Sequence, residues 1–155
     1  MNLTLKIYNE SPHPYPEFKH PGDSGFDLRA WIDNETKRIF LKPLERTLIR
    51  TGLYVQLPED TELQVRPRSG CALKYGLSVL NTPGTVDNNY RGEICIIAVN
   101  LSNESLRIND GDRIAQAVIC PVYNSYQVNM KFVDNKDELT ETERGADGFN
   151  STGLK

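Results

Sequence analysis

Apolar and polar residues alternate in short stretches along most of the chain. Leu3, Leu5 and Ile7 are two apart, as are Phe26, Leu28, Ala30 and Ile32; Leu53, Val55 and Leu57 repeat the spacing, and so do Leu63 and Val65. A period of two is that of a strand with one face on a core and the other toward solvent. Two denser runs, Ile94-Cys-Ile-Ile-Ala-Val99 and Ile114-Ala-Gln-Ala-Val-Ile119, predict strands covered on both faces. Turn formers separate the pieces at Pro21-Gly-Asp-Ser-Gly25, Pro58-Glu-Asp60 and Asn109-Asp-Gly-Asp112. A helix is compatible only with Gly70–Tyr75, and nothing else sustains a helical period. Many short strands punctuated in this way predict an all-β domain: a sandwich, a jelly roll or a small barrel.

The last stretch follows another rule. From Asp134 to Arg144 the chain is strongly polar, and Gly145–Gly153 carries one aromatic, Phe149, among Gly, Ser and Thr. Such a segment cannot supply a core. The expected organisation is therefore a β domain over residues 1–133, followed by a flexible arm over 134–155.

Composition narrows the function. At 155 residues and 38% hydrophobic the chain can bury a core, and 25% charged residues is ordinary for a folded domain. A formal net charge of -3 gives no long-range attraction to a nucleic-acid backbone, so an anionic ligand needs arginines gathered locally. Cys71, Cys95 and Cys120 are widely spaced, and His13 and His20 lie in a Pro-rich stretch, which is not the pattern of a zinc site. Reduced, mostly buried thiols in a cytoplasmic protein are expected. The N-terminus alternates like a strand and no apolar run approaches a membrane span, so neither a membrane nor nucleic acid is an expected partner.

Three segments could carry chemistry. Arg66-Pro-Arg-Ser-Gly70 offers cations, a hydroxyl and exposed N–H groups between a strand and the helix, which suits phosphate oxygens; Ser69 could equally cap the helix. In Leu80-Asn-Thr-Pro-Gly-Thr-Val-Asp-Asn-Asn-Tyr-Arg-Gly-Glu93 the backbone bends twice. Asp87 there could cap a turn, or act as general base toward a water beside a phosphate. Tyr90 could be core, or a flat wall for a sugar ring. In Gly111-Asp-Arg-Ile-Ala-Gln116 the polar Gln116, on an apolar strand, needs a partner, which backbone or a ligand oxygen could provide.

Taken in order, these segments and two more resemble the five motifs of the trimeric dUTPase family. They are Ser24-Gly-Phe-Asp-Leu-Arg-Ala30, Pro67–Gly76, Asn81–Gly92, Gly111–Gln116 and Arg144–Gly153, spanning nearly the whole chain. The family usually has glycine where this chain has Asn150, a residue that tolerates left-handed backbone better than most. The resemblance implies a jelly roll, or distorted β-barrel, with one short helix and a flexible C-terminal arm. It implies hydrolysis of dUTP to dUMP and pyrophosphate, which limits uracil in DNA and supplies dUMP for dTMP synthesis. Asp87 would activate the water that attacks the α-phosphorus. Arg68, Ser69, Gly70 and Gln116 would hold phosphate oxygens. Asn81 and the backbone around Thr85, Val86 and Cys95 would read uracil, and Tyr90 would pack under the deoxyribose. From the arm, Phe149 would stack on the base while Arg144, Ser151, Thr152 and Gly153 close over the triphosphate. Asp27 would be structural, paired with an arginine near the site. Mg²⁺ would be held by the substrate's phosphates and water, and each site of a homotrimer would draw on three subunits.

Two other functions compete. A dCTP deaminase of related pattern carries a catalytic glutamate where this chain has Ile97, and an isoleucine moves no protons. A catalytically idle nucleotide-binding regulator would be marked by loss of Asp87 or of the arm, and both are present.

Overall fold

The structure, a computed structural model, describes residues 3–146. Contacts group the chain into two units, Met1–Asn124 and Ser125–Lys155. The first holds β1 (Lys6–Asn9), β2 (Gly25–Arg29), β3 (Arg38–Leu41), β4 (Arg46–Gln56), β5 (Thr61–Pro67), α1 (Ser69–Tyr75), β6 (Leu77–Val79), β7 (Gly84–Val86), β8 (Glu93–Asn100), β9 (Leu106–Asn109) and β10 (Arg113–Pro121). Its strands form two four-stranded sheets, ordered β1-β4-β8-β6 and β2-β10-β5-β7, plus the pair β3-β9, all antiparallel. The sheets stay separate and close no barrel.

The expected alternation is what fills the core. Phe26 and Leu28 of β2, Leu63 and Val65 of β5, and Ala115 and Ala117 of β10 meet Ile49, Leu53 and Val55 of β4 and Ile94, Ile96 and Ala98 of β8 in one buried cluster. Ala115 and Ala117 are completely buried on the central strand of their sheet, where small side chains let the layers approach. Truncating a large aliphatic of this cluster to alanine costs about 2–5 kcal/mol. The dense run of β8 is only partly covered on its outer face: Cys95 and Ile97 are partly exposed there while Val99 is buried, beside exposed Leu48 and Leu80.

Four strands escape the period-two pattern. β3, β6, β7 and β9 are only three or four residues long, too short for alternation to register. What stabilises such pieces is polar bracing at their ends. Asn100, wholly buried, donates from Nδ2 to the carbonyls of Leu41 (2.9 Å) and Glu104 (2.7 Å), and its Oδ1 accepts from the Ser102 N–H and hydroxyl. That ties the end of β8 to β3 with no polar atom left over. The helix begins one residue earlier than the pattern suggests and ends on Gly76 in the left-handed region (φ 65°), where a Cβ would lie 2.7 Å from the Ser102 nitrogen. Of the three thiols only Cys71 is buried; Cys95 and Cys120 are partly exposed, because they lie on outward or edge positions of their strands. No helix among the described residues is long and apolar enough to cross a membrane.

The N-terminal segment is tied down by a histidine–carboxylate contact. His13 Nε2 lies 2.9 Å from Asp110 Oδ1, both largely buried, and the same oxygen accepts the Ile32 N–H at 2.8 Å. Burial works to raise the Asp110 carboxyl, but the Ile32 N–H and His13 outweigh it and hold it below the usual carboxylate value. A carboxyl depressed in the folded state contributes stability above its unfolded pKa, and that contribution fades as pH falls through the folded value. The melting temperature is therefore expected to drop as pH falls below about 4. Asp110→Asn should lower stability at neutral pH and flatten part of that acid limb; thermal melts across the range read both.

The second unit is described by itself from Ser125 to Ala146. The polar run that begins at residue 134 contains a 3-10 turn, Lys136–Glu138, closed by a capping box: Asn135 Oδ1 accepts the Asp137 N–H at 3.1 Å, and Glu138 accepts the Asn135 N–H at 3.2 Å. The helical period did not reveal it, since one turn has no period.

Candidate functional site

On the sheet β2-β10-β5-β7, Gln116 of the central strand stands opposite Asp27 on one side and Arg66 on the other. Its amide nitrogen donates to the Pro67 carbonyl at 2.9 Å. One amide hydrogen is thereby satisfied by backbone, and the second remains available to a ligand oxygen.

Asp27 binds two arginines. Its Oδ1 lies 2.7 Å from Arg68 Nε and its Oδ2 lies 3.2 Å from Arg113 Nη1, while Arg68 Nη1 also donates to the Arg113 carbonyl at 2.9 Å. The three side chains are 28–48% exposed, so screened pairs of this kind contribute only about 0–1 kcal/mol to stability. Their effect is orientation: Arg68 is aimed, with guanidinium hydrogens left over. Arg113, which stood unassigned in the sequence beside Gln116, joins this group; its only signal was a charge at the start of an apolar strand.

Next to Arg68 the chain turns into α1. The N-cap is Arg68 itself, in extended conformation and with no side-chain cap bond. Ser69 is exposed and its hydroxyl has no hydrogen-bond partner among the described residues, so it does not cap the helix. Gly70 is exposed, with open space where a Cβ would stand.

The other candidates lie on the connection from β6 through β7 to β8, which passes from one sheet to the other. β7 is an edge strand, with Gly84, Thr85 and Val86 opposite Val65, Gln64 and Leu63 of β5. Asn81 folds its amide to within 3.2 Å of where a Gly84 Cβ would be. Asp87 follows directly. Its carbonyl accepts the Tyr90 N–H at 3.0 Å, so the turn is closed by main chain, and its exposed carboxylate has no partner among the described residues. Asn88 braces the loop by donating to the Leu57 carbonyl at 3.2 Å. Tyr90 is not core: it is 44% exposed, its hydroxyl donates to the Glu93 carbonyl at 3.1 Å, and its ring occupies the space where a Cβ on Gly92 would stand. Cys95 pairs with Arg50 across β8 and β4, and burial, aided by the Glu93 charge, pushes its thiol above the ordinary range.

These residues fall into two groups. Asp27, Arg68, Ser69, Gly70 and Gln116 gather around the β2–β10–β5 end, where clefts of about 490 Å³ (with Arg68 and Arg113) and 270 Å³ (with Asp27 and Gln116) open. Asn81, Thr85, Val86, Asp87 and Tyr90 belong to the β7 loop, and Asp87 lines neither cleft. The register sets the separation. Val86 faces Leu63, so Asp87 is level with Glu62, six residues before Arg68. At about 3.3 Å per residue the two lie about 20 Å apart along the strand direction. Arg144 is an exposed residue of the second unit, and Phe149, Asn150, Ser151, Thr152 and Gly153 lie outside the described residues.

Comparison with known proteins gives this arrangement its context. The family model described as dUTPase matches residues 11–153. The deoxyuridine 5'-triphosphate nucleotidohydrolase of Treponema denticola is 55% identical over 139 residues, 90% of either chain. That of Clostridium novyi is 53% identical over 154 residues, covering 99% of this chain and 100% of the relative. Among solved structures, the dUTPase of Staphylococcus bacteriophage 80alpha with dUPNHPP superposes with a TM-score of 0.81 at 27% identity, over 97% of this chain and 99% of that one. With a fold that superposes on that dUTPase and a family match across nearly its full length, this chain belongs to the dUTPase family.

Proposed function

We propose that this protein is a dUTP diphosphatase, cleaving dUTP to dUMP and pyrophosphate at sites shared between the subunits of a homotrimer. The observation that carries the reading is Asp87: an exposed carboxylate at the tip of an edge strand, with no partner among the described residues and about 20 Å from the arginine group of its own chain. A nucleotide's innermost phosphorus cannot lie beside both in one subunit. A second copy brings its own arginine group to the loop.

The outer face of β8 favours such association. Its half-exposed Cys95 and Ile97 lie beside Leu48 (63% exposed) and Leu80 (50% exposed), an apolar patch that a neighbouring subunit would cover. A trimer also completes the cover on both faces that the density of apolar residues in this run calls for.

In the assembled site the Asn81–Val86 backbone reads the uracil edge. Thymine is excluded by its methyl group, and cytosine by an amino donor where uracil accepts; a site whose polar groups would be left unpaired rejects such analogues strongly. Tyr90 backs the deoxyribose. Arg68, Ser69, Gly70 and Gln116 hold phosphate oxygens, with Asp27 keeping Arg68 in place. Asp87 accepts a proton from water as its oxygen bonds to the α-phosphorus, and the bond from that phosphorus to the bridging oxygen breaks, releasing pyrophosphate. Residues 134–155 then act as the closing arm, with Arg144, Ser151, Thr152 and Gly153 on the phosphates and Phe149 on the base. The described side chains form no cluster of three metal-binding groups, and Asp27 is taken up by two arginines. This donor set fits Mg²⁺ that would be carried by the substrate's phosphates and water, where it would neutralise charge. The enzyme is expected in the cytoplasm, with no membrane or nucleic-acid partner.

Incubation with dUTP, dCTP, dTTP and UTP in the presence of Mg²⁺ tests the assignment. Pyrophosphate should form from dUTP alone. Ammonia from dCTP would overturn the reading, an outcome that Ile97, paired with Leu48 in mid-strand, leaves without a proton carrier.

A further inference from the structure

The loop that carries Asp87 and Tyr90 is anchored, at its β8 end, by a polar assembly that the five motifs do not contain. Glu93, the first residue of β8, is only 14% exposed at its side chain. One carboxylate oxygen lies 2.8 Å from Arg50 Nε; the other accepts the Gly52 N–H at 2.7 Å. The Arg50 guanidinium is stacked on the Trp31 ring, 4.2 Å from its centroid, and its Nη2 lies 3.5 Å from Glu10, which also accepts the Tyr54 hydroxyl. The backbone explains why the group is there. Between the pairs Arg50↔Cys95 and Tyr54↔Glu93, three residues of β4 face one of β8, which makes a β-bulge. The Glu93 side chain satisfies an N–H that this bulge would otherwise orphan, and the Thr51 hydroxyl donates to Ile94 at 2.6 Å beside it.

The assembly reaches the site through a single atom. The carbonyl of Glu93 receives the Tyr90 hydroxyl at 3.1 Å, and the Tyr90 ring lies over Gly92, so the far end of the ring is aimed by wherever Glu93 is held. We infer that Arg50 and Glu93 are specificity-determining positioning residues, which act through Tyr90 to set the wall that admits a deoxyribose and refuses a ribose. This rests on the dUTP diphosphatase reading and adds to it residues outside any substrate contact.

The decisive experiment compares Arg50→Met, Arg50→Lys and Glu93→Gln with the wild type, measuring kcat and KM for dUTP and, at enzyme concentrations far above those of the dUTP assay, the residual kcat/KM for UTP. Arg50→Met keeps an unbranched apolar side chain beside Trp31 but removes the guanidinium and its charge. The expected result is a rise in KM for dUTP of about tenfold, a smaller change in kcat, and a dUTP-over-UTP preference reduced by a similar factor, as one misaligned contact of about 1.4 kcal/mol would produce. Arg50→Lys should recover part of the preference. In the Arg50→Met background, Tyr90→Phe should cost little more, because the two changes break one chain of contacts. Melting curves identify any variant whose fold is lost, and amide exchange over residues 87–92 should quicken in the folded ones. Folded Arg50→Met and Glu93→Gln with wild-type KM and wild-type preference would overturn the inference and leave the enzyme assignment standing. A wild type that does not hydrolyse dUTP would sink both.

Discussion

Two inactive variants, Asp87→Asn and Arg68→Gln, are expected to regain dUTP hydrolysis when their chains are mixed and reassembled. On the proposed reading each alone lacks an element of every site: one has no base, the other no aimed guanidinium on the phosphates. In a single chain these residues are about 20 Å apart, fixed by the β5–β7 register rather than by any loop that could swing. If sites form between copies, a mixed trimer contains some in which an intact Asp87 from one subunit meets an intact Arg68 from another. With random assembly at equal amounts, about a quarter of sites are complete, so activity should recover to about that fraction. Homotypic controls stay dead because no arrangement of identical subunits repairs them. A mixture as inactive as its components, with size measurements showing co-assembly, would mean that both residues serve the site from the same chain. Arg68→Gln is preferred to alanine because it keeps part of the stem and leaves Asp27 its second arginine, Arg113, which limits the disturbance to one ion pair and the hydrogen bond to the Arg113 carbonyl.

How far the sequence foretold this molecule depends on the length scale of the signal. The long strands declared themselves because alternation over five or more residues, as in Phe26–Ile32 or Leu53–Leu57, is hard to produce otherwise. The short ones did not, and their stability comes from groups whose partners are remote in sequence: Asn100 on the Leu41 carbonyl, His13 on Asp110. A similar limit applied to the site. The arginine-and-glycine segment before the helix stands out from composition as a candidate for phosphate oxygens, yet whether Ser69 caps the helix could be decided only by geometry, which gives the N-cap to Arg68. Gln116 was flagged as needing a partner, and Pro67 supplies one. Glu93 and Arg50 were invisible, because a salt bridge across a bulge has no sequence period. The density of apolar residues in β8 reflects its environment, and a single chain covers the inner face fully but leaves Cys95 and Ile97 on the outer face partly exposed.

Turnover by Asp87→Asn is expected to fall about 10²–10⁴-fold while nucleotide binding stays within a few-fold of the wild type. Asparagine has the same shape as aspartate, and the side chain has no protein partner among the described residues whose loss could disturb the loop. The turn itself is held by the Asp87 carbonyl and by Asn88, neither of which the substitution changes. What disappears is the capacity to take a proton from water. The loss should therefore fall on kcat, and kcat/KM should drop in proportion, which is the signature of an interaction made only in the transition state. A loss of 10³ corresponds to about 4 kcal/mol, more than an exposed charge contributes by long-range attraction to a substrate that is itself anionic. Removing a negative charge beside a triphosphate should if anything tighten binding, so a raised dissociation constant would point to a structural role for the carboxylate. Asp87→Glu separates the remaining accounts: it keeps a base but moves it by about one bond length, and positioning-dependent chemistry then predicts a large residual loss of about 10². Titration calorimetry with a non-hydrolysable dUTP analogue, alongside single-turnover rates, measures both quantities. Undiminished turnover in Asp87→Asn would remove this carboxylate from the reaction altogether.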